Sequence, residues 1–251
     1  MKKLLAVIGF ILIFLPALSF ADKDVQFSWE KATVYLPGKL FATTVDQIVA
    51  DKPTPVLIYL HGCTGIYGPH DLRWASWIAD LGLIVIVPDS MARPGRLSNC
   101  DPKVKAGNNA FPKAGQYRQE EISYALSQVL ESNWADKKNI FLMGHSEGGQ
   151  AVARSPHPEF AGKIISGWTC TNKNNPAYDG IYSPKNLPIL AIASVDDEWR
   201  KGKPVEGRCA DKAGDRINFM QIDLDGWTHG TYGNSEARKA VKEFLTQYLT
   251  K

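Results

Sequence analysis

Ile140-Phe141-Leu142-Met143 is a short apolar run, and Gly144-His145-Ser146-Glu147-Gly148-Gly149 follows it directly. A run of that length and composition suits a strand buried on both faces. The glycines mark a turn too tight for Cβ atoms, and the segment beyond suits a helix. A serine on such a strand-to-helix turn presents its hydroxyl at the end of a sheet, where a helix start also aims backbone N–H groups. Gly-x-Ser-x-Gly arises by chance in chains with this much glycine and serine. The strand before it, the helix after it and the doubled glycine distinguish this copy.

Further apolar runs of strand length occupy residues 56–60, 83–87, 163–166, 189–193 and 218–222. Helical periods separate them: Ile122, Ala125, Leu126, Val129 and Leu130 share one helical face, as do Ala237, Val241, Phe244, Leu245 and Tyr248. Gly82 stands where a helix over residues 71–81 needs a left-handed end. The alternation predicts an α/β fold of one domain, a mostly parallel central sheet with helices on both faces. Residues 25–35 and 41–49 read as antiparallel strands at one edge. In such a sheet, ligands gather beyond the carboxyl ends of the strands, where Ser146 lies.

The 251-residue chain opens with Met1-Lys2-Lys3, an apolar run over residues 4–15, and then Pro16-Ala17-Leu18-Ser19-Phe20-Ala21. The run falls short of the roughly 20 residues of a spanning helix, and small residues occupy Ser19 and Ala21. Residues 1–21 are therefore read as a signal peptide and 22–251 as the folded domain, exported to the periplasm or beyond, with no stable membrane insertion after cleavage. Loss of Lys2 and Lys3 takes the formal charge from +3 to near neutrality, which gives no basis for a nucleic-acid partner. The oligomeric state is not legible. The four cysteines, Cys63, Cys100, Cys170 and Cys209, fit neither a redox nor a zinc spacing. In an oxidising compartment they read as two disulfides.

A serine nucleophile needs a base and a carboxylate to orient it, and in folds of this kind they follow in the order Ser, acid, His. Residues 189–193 lead into Ser194-Val195-Asp196-Asp197-Glu198-Trp199, which offers Asp196 or Asp197 as the acid. Residues 218–222 lead into a loop ending Trp227-Thr228-His229-Gly230, and His229 is the one histidine of five that follows the last strand. His61-Gly62-Cys63-Thr64-Gly65 closes the strand at 56–60, where the backbone N–H of Cys63 would join that of Glu147 in an oxyanion hole. No metal or organic cofactor is implied, because no ligand cluster or phosphate-cradling motif appears.

Leu60-His61-Gly62-Cys63, Val87-Pro88-Asp89-Ser90, Gly144-His145-Ser146-Glu147-Gly148-Gly149, Asp197-Glu198-Trp199 and His229-Gly230 together resemble the dienelactone hydrolase family of α/β-hydrolases. The resemblance runs over nearly all of residues 22–251. Aligning Pro188 and Trp199 with the family's pattern places its catalytic aspartate on Asp197. The resemblance implies a serine ester hydrolase with a small-molecule ester substrate and a triad of Ser146, Asp197 and His229. The enzymes that give the family its name use a cysteine nucleophile where this chain has Ser146, so the reaction class carries over better than the substrate. The sheet order of the fold makes neighbours of the loops after residues 60 and 87, and of those after 166 and 193. That order pairs Cys63 with Cys100 and Cys170 with Cys209.

Residues 91–118 carry Arg93, Arg96, Lys103, Lys105, Lys113 and Arg118 against the single acid Asp101. A basic loop on the catalytic side could border the pocket and favour anionic substrates, or be a solvated surface. Of the aromatics beside the catalytic loops, Tyr67 and Trp168 are the candidates for substrate contact. Core packing is nonetheless the simpler account of each of the four, Tyr67, Trp168, Trp199 and Trp227. The competing functional readings are a non-catalytic exported binding protein of the same fold, which would need none of the triad, and a peptidase or acyltransferase using that triad.

Overall fold

The computed structural model describes residues 20–66, 69–106 and 110–250. Residues 1–19, most of the stretch read as a signal peptide, and Tyr67 lie outside the described residues. The strands are β1 (Thr33–Tyr35), β2 (Thr54–Leu60), β3 (Ile84–Val87), β4 (Ala135–His145), β5 (Gly162–Ser166), β6 (Ile189–Ser194) and β7 (Phe219–Leu224). They form a seven-stranded sheet in the order β1-β3-β2-β4-β5-β6-β7. Only β1 is antiparallel to its neighbour; every other pair is parallel.

The strands read as unbroken apolar runs because both faces are covered. In β2, Val56, Ile58 and Leu60 belong to one core, while Leu57 and Tyr59 belong to the other. In β4, Ile140 and Leu142 alternate in the same way with Phe141 and Met143. Helices α1 (Phe20–Glu30), α4 (Ala110–Glu131) and α5 (Glu147–Arg154) cover the first face; α2 (Pro69–Asp80) and α6 (Ser235–Tyr248) cover the second. The helix ends follow local chemistry. Gly82 takes a φ of 101° just beyond α2, and the Asn234 side chain caps the first N–H groups of α6.

The edge differs from expectation. Residues 25–30 are helical, and of the segment 25–35 only Thr33–Tyr35 forms a strand. Val25, Phe27 and Trp29 alternate with polar residues and so mimic a strand, yet the buried set is Val25, Ser28, Trp29 and Ala32, a helical spacing that leaves Phe27 exposed. The segment 41–49 contributes one antiparallel bridge, Val34 to Thr43, and a short 3₁₀ turn at Val45–Gln47. The connection after β3 is also shorter than read. It contains α3 (Pro102–Ala106), and α4 begins at Ala110, which places Lys113 and Arg118 within a helix.

Candidate active site

Ser146 stands between β4 and α5 with a φ of 56°, a left-handed value that a non-glycine residue rarely holds. Packing maintains it. A Cβ at Gly148 would strike the carbonyl of Leu60, and one at Gly144 would strike the backbone of Gly148, so helix and strands approach more closely than any side chain allows. The amide of Ser146 donates to the Ser166 carbonyl at 2.9 Å, and the Ser146 carbonyl accepts the first helical bond, from Gln150, at 2.9 Å.

Asp197 lies three residues beyond β6 and is buried. One carboxylate oxygen accepts the Trp199 N–H at 2.8 Å; the other lies 2.7 Å from His229 Nδ1 and also accepts from Arg200. Burial alone would raise the carboxyl pKa. The His229 contact, the Arg200 charge and the Trp199 N–H outweigh burial and hold it below the ordinary carboxylate range. Asp196 instead faces outward and pairs with Lys201. The loops bearing Asp197 and His229 are stitched together by Ser194 Oγ donating to the Thr228 carbonyl at 2.6 Å and Glu198 N–H donating to the Trp227 carbonyl at 3.3 Å. With Nδ1 donating to Asp197, Nε2 of His229 is the bare acceptor nitrogen; it is buried and has no hydrogen-bond partner among the described residues.

A cavity of about 310 Å³ opens onto this group. Ser146, His229, the Cys63–Cys100 disulfide, Trp168 and Trp199 all contribute to its wall. A Cβ on Gly62 would lie 3.7 Å from the Ser146 Cβ, so the segment 61–63 runs against the turn at Ser146, which Glu147 follows as the first residue of α5. The second disulfide joins Cys170 to Cys209. Trp168 is buried, whereas Trp199 is 44% and Trp227 65% exposed, so core packing does not account for the latter two.

The basic segment does reach the cavity, through Asn99, Cys100 and Val104. Its arginines serve another purpose: Arg93, Arg96 and Arg118 are buried and paired with Glu120, Glu121 and Glu147. They are therefore not free to select anionic substrates. Counting charge along the loop missed this because the neutralising acids lie in α4 and at the start of α5.

Sequence reading also missed a row of histidines behind His229. The His145 ring lies 4.8 Å from that of His229 and 4.2 Å from that of His70, with Nδ1 3.1 Å from Ser166 Oγ. Burial holds His145 well below the ordinary histidine value, and burial, with the proximity of the His229 ring next, lowers His70 to about 4. Both rings are therefore neutral packing surfaces at neutral pH. Nothing in their sequence spacing announces the stack.

No family model and no curated protein matches the sequence. Solved structures do match in shape. A dienelactone hydrolase described as putative, from Klebsiella pneumoniae, superposes with a TM-score of 0.63 at 12% identity, covering 86% of this chain and 91% of its own. An α/β serine hydrolase without a lid from Xanthomonas campestris gives 0.59 at 15% identity, covering 88% and 89%. An S-formylglutathione hydrolase from Agrobacterium tumefaciens gives 0.59 at 16% identity, covering 87% and 90%. Such identities speak to architecture alone, and with the sheet order above they establish that this chain has the α/β-hydrolase fold, resembling dienelactone hydrolase-like proteins and serine esterases.

Proposed function

We propose that the protein is an exported serine hydrolase of small carboxylic esters. The observation that carries this reading is the meeting, in one cavity, of a serine held at positive φ with a histidine whose far nitrogen is fixed by a buried aspartate. Oγ of Ser146 attacks the ester carbonyl carbon while its proton passes to Nε2 of His229. The carbonyl π pair moves onto oxygen, and the N–H groups of Cys63 and Glu147 bind the resulting oxyanion. Collapse breaks the bond to the leaving oxygen, which takes the proton from His229. Water then repeats the sequence on acyl-Ser146 and releases the acid. Asp197 fixes the imidazole tautomer and supports the imidazolium.

Trp168, Val104 and Val205 on the cavity wall suit an apolar acyl or leaving group. Export accords with the leader sequence and with two disulfides; among the described residues no helix is long and apolar enough to cross a membrane. The test is release of p-nitrophenol from acetate and butyrate esters by the oxidised protein and by His229→Gln. The wild type turns over, and the variant loses at least about 10³-fold in kcat. Equal rates would remove His229 as the base, and no turnover by folded wild type would favour a binding protein.

A further inference from the structure

We propose that Arg118 is a positioning residue for the oxyanion hole, joining the two segments that supply its N–H donors. The inference rests on the ester-hydrolase reading above. Arg118 projects from α4 and is fully buried. Its Nη2 donates to the His61 carbonyl at 2.8 Å and the Gly62 carbonyl at 3.3 Å, while Nε donates to the Glu147 carboxylate at 3.1 Å. Nη1 faces Glu121 at 3.3 Å.

The Gly62 carbonyl and the Cys63 N–H belong to one rigid peptide plane and point in opposite directions. Whatever holds that carbonyl therefore aims that N–H. The Ser90 amide donates to His61 Nε2 at 3.1 Å, which leaves the proton on Nδ1, and Nδ1 donates to the Gly62 carbonyl at 2.6 Å. The plane is thus gripped by His61 and Arg118 together, and Ser98 Oγ holds the next carbonyl, that of Cys63, at 2.7 Å. On the other side, the Glu147 carboxylate is held by Arg118, Arg96 and Asn99. One guanidinium consequently spans both donors.

A buried ion pair is seldom the cheapest way to fill a core, but a planar fork can bind carbonyls and a carboxylate at once in fixed geometry, which a lysine ammonium cannot. Loss of a whole oxyanion donor costs roughly 10²- to 10³-fold in kcat, so misaiming one predicts a smaller loss.

The experiment compares wild type, Arg118→Lys, Glu147→Gln and the double variant, each checked for folding by near-UV circular dichroism. Steady-state hydrolysis of p-nitrophenyl acetate and the rate of labelling by a fluorophosphonate are measured. Arg118→Lys is expected to lower kcat and the labelling rate about 10- to 100-fold, with KM within about threefold. Glu147→Gln is expected to lower kcat less, and the double variant to fall no further than Arg118→Lys, as for two ends of one contact. Unchanged kcat in Arg118→Lys, a loss borne by KM, or additive losses would overturn the proposal. If Arg118→Lys does not fold, wild-type kcat in Glu147→Gln overturns it. Failure of the wild type itself to react would overturn the hydrolase reading instead.

Discussion

Asp196 and Asp197 are adjacent in sequence and face opposite ways: Asp197 is buried with an oxygen 2.7 Å from His229 Nδ1, and Asp196 reaches Lys201 at the surface. The distinction is functional only if the carboxylate holds the imidazole. Asp197→Asn should therefore reduce kcat by roughly 10³- to 10⁴-fold with the fold intact. Asp196→Asn should stay within about twofold, since its side chain pairs with Lys201 in solvent and does not touch the imidazole. Steady-state kinetics on the two variants check this, and equal losses would contradict it.

Gly148 tests the packing that strains Ser146. An alanine there drives its Cβ into the Leu60 carbonyl, which belongs to a central strand and cannot swing away. Gly148→Ala should cost about 3 kcal/mol or more, seen as a lower urea midpoint, or should fail to fold. Wild-type stability would mean that the turn has more room than the structure shows.

Much of this arrangement was legible in sequence, for identifiable reasons. β2 and β4 are apolar on both faces, so their runs stand out without any knowledge of neighbours. Ser146, Asp197 and His229 each sit a fixed short distance beyond a strand, and position in the fold could be counted. What escaped depends on contacts between distant residues. Arg118 meets Glu147 and His61 only after α4 packs on the sheet, and the His70, His145 and His229 stack joins helix α2, the end of β4 and the loop after β7. The helix at residues 20–30 escaped because alternation in its short apolar set imitates a strand.

Lys163 gives the fold a distinctive pH dependence. Its ammonium is buried against the Ser155 carbonyl at 2.7 Å and Ser183 Oγ at 3.0 Å, and burial pushes its pKa from 10.5 down to about 7, with Glu159 opposing the shift. The unfolded chain holds this proton up to the ordinary lysine value. The contribution to stability is thus fully present above about 10.5 and is lost as pH falls through about 7. Relative to Lys163→Met, the wild type should gain urea stability from pH 7 to pH 9. Parallel profiles for the two proteins would contradict this.

The disulfides should differ in what they support. Cys170 and Cys209 lie 39 residues apart, and replacing both by serine should cost about 2–4 kcal/mol of stability. Replacing Cys63 and Cys100 should cost a similar amount and also lower kcat, because that bridge anchors the segment against Ser146. Denaturant titration and ester kinetics on the two double variants separate the effects; an unchanged kcat in the second would contradict the account.

The central claim is that Ser146 is an activated nucleophile, and covalent labelling addresses it most directly. Oxidised wild-type protein and Ser146→Ala should be treated with a fluorophosphonate, the intact masses measured and the adduct mapped by peptide sequencing. A single adduct on Ser146, absent from the variant, is the predicted result. Folded wild-type protein that gains no mass, or carries its adduct on another residue, would contradict it.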